Sequence, residues 1–193
     1  ATPEDPATSS LNQSFYSFLP QTMLGSYLSA YGLEKMRLKK QPNIQKLLKN
    51  RIHWYLLIQL VTFLALHYLA GLDGVIFYAL VGFLTNSMLE VINYIEHYGL
   101  IRQKKANGRY ESVKPHHSWN ANQKVSNLFL FRLQRHSDHH ANASRPYQIL
   151  RHYENVPQLP YGYPTMVLMA LVPPLWKFVM NPRVHKARKN FGM

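Results

Sequence analysis

The 193-residue chain carries 22 Lys and Arg against 9 Asp and Glu, a net charge of +13, with 10 His and no Cys. The absence of cysteine excludes disulfides, thiolate metal ligands and a cysteine nucleophile. The length suffices for one domain with a real core, and the basic excess suits nucleic acid, an anionic membrane surface or an acidic partner without choosing among them.

The opening "ATPEDPATSS" is polar and turn-rich, with no charged-then-apolar leader, and reads as a chain entered partway from Ala1. Residues 1–14 are expected as loop. From 15 to 40 a helix is predicted, aromatic at its start and basic at its end, with Pro20 as a kink or first-turn residue. That gradient fits an interfacial helix at a membrane better than a surface helix on a soluble core. Pro42 breaks the chain and a further helix is predicted from Ile44. Within it, 52–70 contains no Asp, Glu, Lys or Arg and is just long enough to cross a bilayer core of about 30 Å.

The turn "GLDG" (71–74) separates that segment from a second apolar one, 75–98, so an antiparallel transmembrane pair is predicted. Arg51 and the lysines before it flank one arm; Arg102, Lys104 and Lys105 follow the other, which places both flanks on the cytoplasmic side. Two long buried helices in a soluble protein remain the alternative. His53, Trp54, Tyr55, His67 and Tyr68 suit the interfaces. Residues 106–127 are polar and irregular, helical spacing resumes over 125–140, and 141–162 reads as loop with one short helix. The 106–162 stretch is thus expected as a cytoplasmic histidine-bearing region. Pro173 and Pro174 divide the apolar run 163–180, which predicts a short hydrophobic helix, and 181–193 reads as a basic tail. The fold class expected is all-α, an integral membrane helical protein.

Asn86, Glu90, Asn93 and His97 are spaced by four, three and four residues and share one helix face. An ionisable group at membrane depth needs a partner or a function, so Glu90 and Asn93 are candidate supports for His97; interhelical hydrogen bonding would explain them equally. The densest cluster is "LQRHSDHHAN" (133–142). There His136 and His140 stand at i, i+4, with His139 beside them. Imidazoles suit Fe, Zn, Cu or Ni. His97, His136, His139 and His140 are therefore the candidate metal ligands and catalytic residues, and would satisfy one tetrahedral zinc or half of a binuclear iron centre. Glu96, Asp138, Glu90, Asn93 and His117 are candidate supporting residues, with Asp138 able to fix an imidazole through its second nitrogen; Gln134 and Arg135 are further candidates. His116 is expected to be exposed, and His152 and His185 are not expected to be ligands. Phosphate loops, HExxH and nucleophile-elbow motifs are absent, and with the aromatics committed to apolar helices no nucleic-acid partner is expected.

"NYIEHYGL" (93–100), "LQRHSDHH" (133–140) and "ATPEDPATSS" (1–10) together resemble the integral-membrane non-haem diiron alkane 1-monooxygenases, or alkane omega-hydroxylases. These sit in a wider histidine-rich superfamily with membrane fatty-acid desaturases and xylene monooxygenase. The resemblance extends through "SFLPQT", "HSWN", "SNLFLF", "RPYQILRHYENVPQLPYGYP" and "NPRV". It implies terminal hydroxylation of medium-chain alkanes with O2 and electrons from reduced rubredoxin, fed by rubredoxin reductase and NADH. It implies two Fe ions, with His97, His136, His139 and His140 at matching ligand positions and His117 near the site.

It also implies a multi-pass inner-membrane location, the active site toward the cytoplasm, and the C-terminal part of a six-helix transmembrane hydroxylase fold. Two earlier histidine boxes of the family would precede Ala1, so this stretch alone is expected to be inactive. A membrane fatty-acid desaturase or aromatic side-chain hydroxylase is the nearest rival, and a membrane metal-binding or metal-transport module the rival from another class.

Overall fold

A computed structural model describes residues 2–142 and 144–193. Its helices are α1 (Phe15–Arg37), α2 (Asn43–Lys49), α3 (Arg51–His97), α4 (Lys124–Phe129), α5 (His136–Ala141), α6 (Tyr163–Ala170) and α7 (Pro173–Phe191), with single 3-10 turns at Pro115–His117 and Tyr147–Ile149. Among the described residues β-pairing is limited to isolated bridges at Lys104–Tyr110 and Asn120–Gln158, so the chain is all-α. It divides into two compact units: the stretch to Thr22 with Leu89–Met193, and Met23–Met88.

In the Met23–Met88 unit, α2 and α3 are separate because Asn50 leaves helical geometry, with φ −73° and ψ 114°. Its side-chain oxygen then accepts from Ile52 N at 2.9 Å, satisfying one of the free donors of the α3 start. Gly71 interrupts α3 with φ 64° and ψ −162°, in the region that favours glycine. The Phe63 and Tyr78 rings meet edge-on at 5.6 Å. Along an unbroken helix, fifteen residues would hold them about 22 Å apart, so the two arms fold back on each other. The hairpin expected around "GLDG" is present, turning at Gly71. Gly74 lies so close to Ala70 that an added Cβ would stand 2.6 Å from the alanine Cβ. Among the described residues α3 is the helix long and apolar enough to cross a membrane, and most of its side chains are exposed.

The histidine-bearing unit has a conventional aromatic core. Tyr94 and Tyr98, one turn apart in the sequence leaving α3, pack on Trp176 of α7 at 5.2 and 5.3 Å, and Phe18 of α1 closes on Tyr94 at 5.5 Å. Each such pair contributes roughly 0.5–1.5 kcal/mol beyond simple burial. Gly99, at φ 69°, turns the chain out of α3 against Val184, whose Cγ1 would stand 2.8 Å from an added Cβ.

The run 181–193 is not a free basic tail: α7 continues through it, burying Met180, Val184 and Ala187 at helical spacing. Pro173 and Pro174 start this helix rather than merely dividing an apolar run, since proline at the first positions loses no intrahelical bond. Nor does one helix run through 125–140. Phe131 and Arg132 take φ values of 48° and 58°, which breaks it into α4 and α5.

Candidate metal centre

The extended segment 118–121 is what joins the two histidine elements. Trp119 N donates to Glu96 O of α3 at 2.9 Å, and Ala121 N donates to Gln134 O, just before α5, at 3.0 Å. Between them, Asn120 Oδ1 accepts from Ser137 N at 3.0 Å, and Trp119 Nε1 donates to Tyr98 O at 2.8 Å. On the other side Leu159 N donates to Asn120 O at 2.7 Å. Every polar backbone group so engaged is shielded from water, which makes the arrangement costly to shift.

This scaffold brings together His97, His136 and His140, whose metal-binding atoms lie within 4.8 Å of one another. Ring centroids stand 5.2 Å apart for His97–His136, 5.3 Å for His97–His140 and 4.2 Å for His136–His140. His139, exposed like His140, lies with its ring 6.1 Å from His136 and 5.8 Å from His140 and does not join the three. Burial, then the neighbouring imidazoles, push His136 well below its ordinary range, and burial with His139 lowers His140. These side chains are neutral at pH 7, the form that ligates metal. The buried Nδ1 atoms of His97 and His136 have no hydrogen-bond partner, which in a protein interior calls for an explanation. A bound cation supplies one, and an all-imidazole set in a cysteine-free chain fits iron or zinc.

Glu96 is 1% exposed. Its Oε2 stands 3.1 Å from His136 Nε2, within ion-pair distance although off hydrogen-bonding alignment. Its Oε1 accepts from the Tyr163 hydroxyl at 2.5 Å. Burial and the Glu96 carboxylate hold the Tyr163 phenol protonated, well above its ordinary range. Glu90 accepts from Thr22 at 2.8 Å and from Asn93 at 3.3 Å, so this part of the polar stripe ties α3 to α1.

Among the described residues Asp138 pairs with no imidazole. It accepts from Arg145, from Arg151 N at 2.7 Å, from Tyr153 at 2.9 Å and from Asn142 at 2.9 Å, pinning the loop after α5. Burial would raise its carboxyl, but these donors outweigh it and hold it below its ordinary value.

A second group, Glu111, His116 and His117, also brings donor atoms within 4.8 Å. Here they already have partners. His117 Nδ1 accepts from Lys114 N at 3.0 Å, its Nε2 faces Glu111 Oε1 at 3.2 Å, and Lys114 pairs with Glu111 at 2.7 Å. Burial, then His116, lower His117 to about 4, and the Lys114 hydrogen bond lowers Glu111 to about 2. His116, expected to be exposed, is half-buried and stacks on Phe191 at 4.9 Å. The first group is the better fit for a metal, because the buried Nδ1 atoms of His97 and His136 have no hydrogen-bond partner.

Sequence spacing singled out His97, His136, His139 and His140, with Glu96 as the neighbour of His97. Tyr163, Thr22, Asn120, Ser137 and Glu111 escaped it, since each is placed by tertiary pairing. The only local signal at Tyr163 was the preceding glycine and following proline of a helix start.

A family model described as fatty acid desaturase matches residues 1–169. Alkane 1-monooxygenase 2 of Alcanivorax borkumensis is 48% identical over 95% of this chain and 48% of its own length. Alkane 1-monooxygenase 2 of Pseudomonas aeruginosa is 47% identical over 95% of this chain and 49% of its own. The hydroxylase component of a xylene/toluene monooxygenase from Pseudomonas putida is 27% identical over 91% of this chain and 46% of its own. The chain thus spans about half the length of the curated relatives it matches. It belongs to the fatty acid desaturase family, and along nearly all of its residues it is similar to the alkane 1-monooxygenases.

Proposed function

We propose that these residues form part of the catalytic centre of a membrane alkane 1-monooxygenase. It would convert the terminal methyl of a medium-chain n-alkane, with O2, two electrons and two protons, into a 1-alkanol and water. The observation that carries the reading is the convergence of three imidazoles from α3 and α5, with the buried Nδ1 atoms of His97 and His136 free of hydrogen bonds. His97, His136 and His140 would hold iron, with His139 as a further ligand position on the same short helix. Bound iron supplies the redox chemistry of O2 reduction and C–H cleavage.

The chain's own residues set its surroundings. Imidazoles add no negative charge, the buried carboxylate Glu96 faces His136 rather than open solvent, and the Tyr94, Tyr98 and Trp176 rings pack beside the end of α3 that carries His97. The substrate has no polar handle, so its position must come from shape. The apolar side chains Phe77, Leu80, Phe83 and Leu84 offer lipid-facing surface along which such a molecule can lie.

Residues 52–70 and 75–98 are read as two crossings of a six-helix inner-membrane protein, with 15–40 at the interface and 106–162 as the cytoplasmic histidine-bearing region. The folded-back hairpin and its basic flanks support that orientation. The same basic loops suit an acidic rubredoxin as electron donor, served by rubredoxin reductase and NADH, and turnover should then fall as ionic strength rises. The description of the matched family favours a second reading, oxidation of a lipid acyl chain to an alkene.

The test is turnover of the full-length protein with 18O2, reduced rubredoxin and either an n-alkane or an acyl lipid. Labelled 1-alkanol supports the first reading, alkene without label the second. Zinc in place of iron, with neither product, would leave a metal-binding module.

A further inference from the structure

Three segments that are distant in sequence meet at Glu96: the last turn of α3, the start of α5 and the start of α6. Glu96 is 1% exposed and Tyr163 1% exposed, so the carboxylate has lost its water and depends on protein donors. One oxygen receives the Tyr163 hydroxyl; the other faces His136 Nε2, which leaves the buried, unpartnered Nδ1 of that imidazole free. Tyr163 is itself fixed at its backbone, where its N–H donates to Gln134 Oε1 at 2.8 Å, two residues before His136. Gln134 in turn receives and returns hydrogen bonds with Ser126. Gly162 makes the approach feasible, since a Cβ there would stand 2.6 Å from Ser126 Oγ.

We propose that Tyr163 is a positioning residue for the metal site, acting through Glu96 to orient the His136 imidazole; the inference rests on His97, His136 and His140 being iron ligands. Without the phenol oxygen, Glu96 Oε1 has no donor among the described residues. The carboxylate can then rotate, and the imidazole loses the steadied carboxylate neighbour, 3.1 Å from its Nε2, that biases its orientation and basicity. The role requires only the hydroxyl, not the ring.

The test uses the full-length iron-loaded protein as wild type, Tyr163→Phe, Glu96→Gln and the double variant, with iron retained under chelator challenge and the 57Fe Mössbauer spectrum as readouts. Glu96→Gln is expected to weaken iron retention about 10- to 100-fold. Tyr163→Phe should weaken it by a smaller factor and change the quadrupole splitting, and the double variant should be no worse than Glu96→Gln alone. Effects that multiply would overturn the proposal. So would a Tyr163→Phe protein with wild-type iron retention and spectrum, whatever becomes of Glu96→Gln. Failure of Tyr163→Phe to fold also counts against it, because a positioning role leaves the core intact. A wild-type protein that holds no iron would instead defeat the underlying reading.

Discussion

The two compact units invert one another's burial. The histidine-bearing unit hides polar groups: Gln134, Asp138 and Ser137 are fully buried and Glu96 nearly so, each satisfied by neighbours. The Met23–Met88 unit does the reverse, with Leu69 77%, Phe77 69% and Leu84 61% exposed along its hairpin. Water would penalise so long an apolar surface, and lipid would not. One unit is built to hold a precise polar arrangement, the other to sit in a solvent that asks only for apolar side chains and satisfied backbone.

The contrast can be broken most forcefully at Trp176. Its truncation to Ala in the aromatic core should cost about 3–5 kcal/mol, read as a lowered denaturation midpoint. Truncating Leu84 on the exposed face should have a far smaller effect. Next in size, Leu64→Arg, mid-arm and 61% exposed, should disfavour membrane insertion by about 2.5–3.5 kcal/mol in a translocon-insertion assay. If that face met water, the change would stay within about 0.5 kcal/mol.

Acid sharpens the comparison from the other side. His117 titrates near 4 when folded against an ordinary 6.5, so between those values the unfolded chain binds more protons. Stability of the histidine-bearing unit should therefore be flat above about pH 6.5 and fall as pH drops toward about 4, with a shallower fall in His117→Gln. The smallest effect is expected at Arg37→Ala, which removes a half-exposed pair with Glu34 and should cost less than about 1 kcal/mol in thermal melts.

How much of this could be read beforehand follows from where each feature is encoded. The hairpin was legible because an uncharged run, a glycine turn and a second apolar run are local properties. His136 and His140 were legible because i, i+4 spacing fixes their relation on a helix, and His97 because it ends a polar stripe. That they would meet was expected from the shared side and the family resemblance; how they meet was not legible, because it is made by backbone bonds of Trp119 and Ala121, and backbone groups carry no residue identity. The break at Phe131 and Arg132 was hidden for a related reason: neither residue announces a left-handed backbone. The helical face Met180, Val184 and Ala187 was present in the sequence but masked by the basic residues around it.

The most direct measurement is iron K-edge X-ray absorption on the purified full-length protein and its His136→Ala variant. Our account predicts a first shell of imidazole nitrogens, with multiple-scattering features that weaken in the variant along with iron content. A shell dominated by oxygen ligands, or one unchanged by the loss of His136, would contradict it.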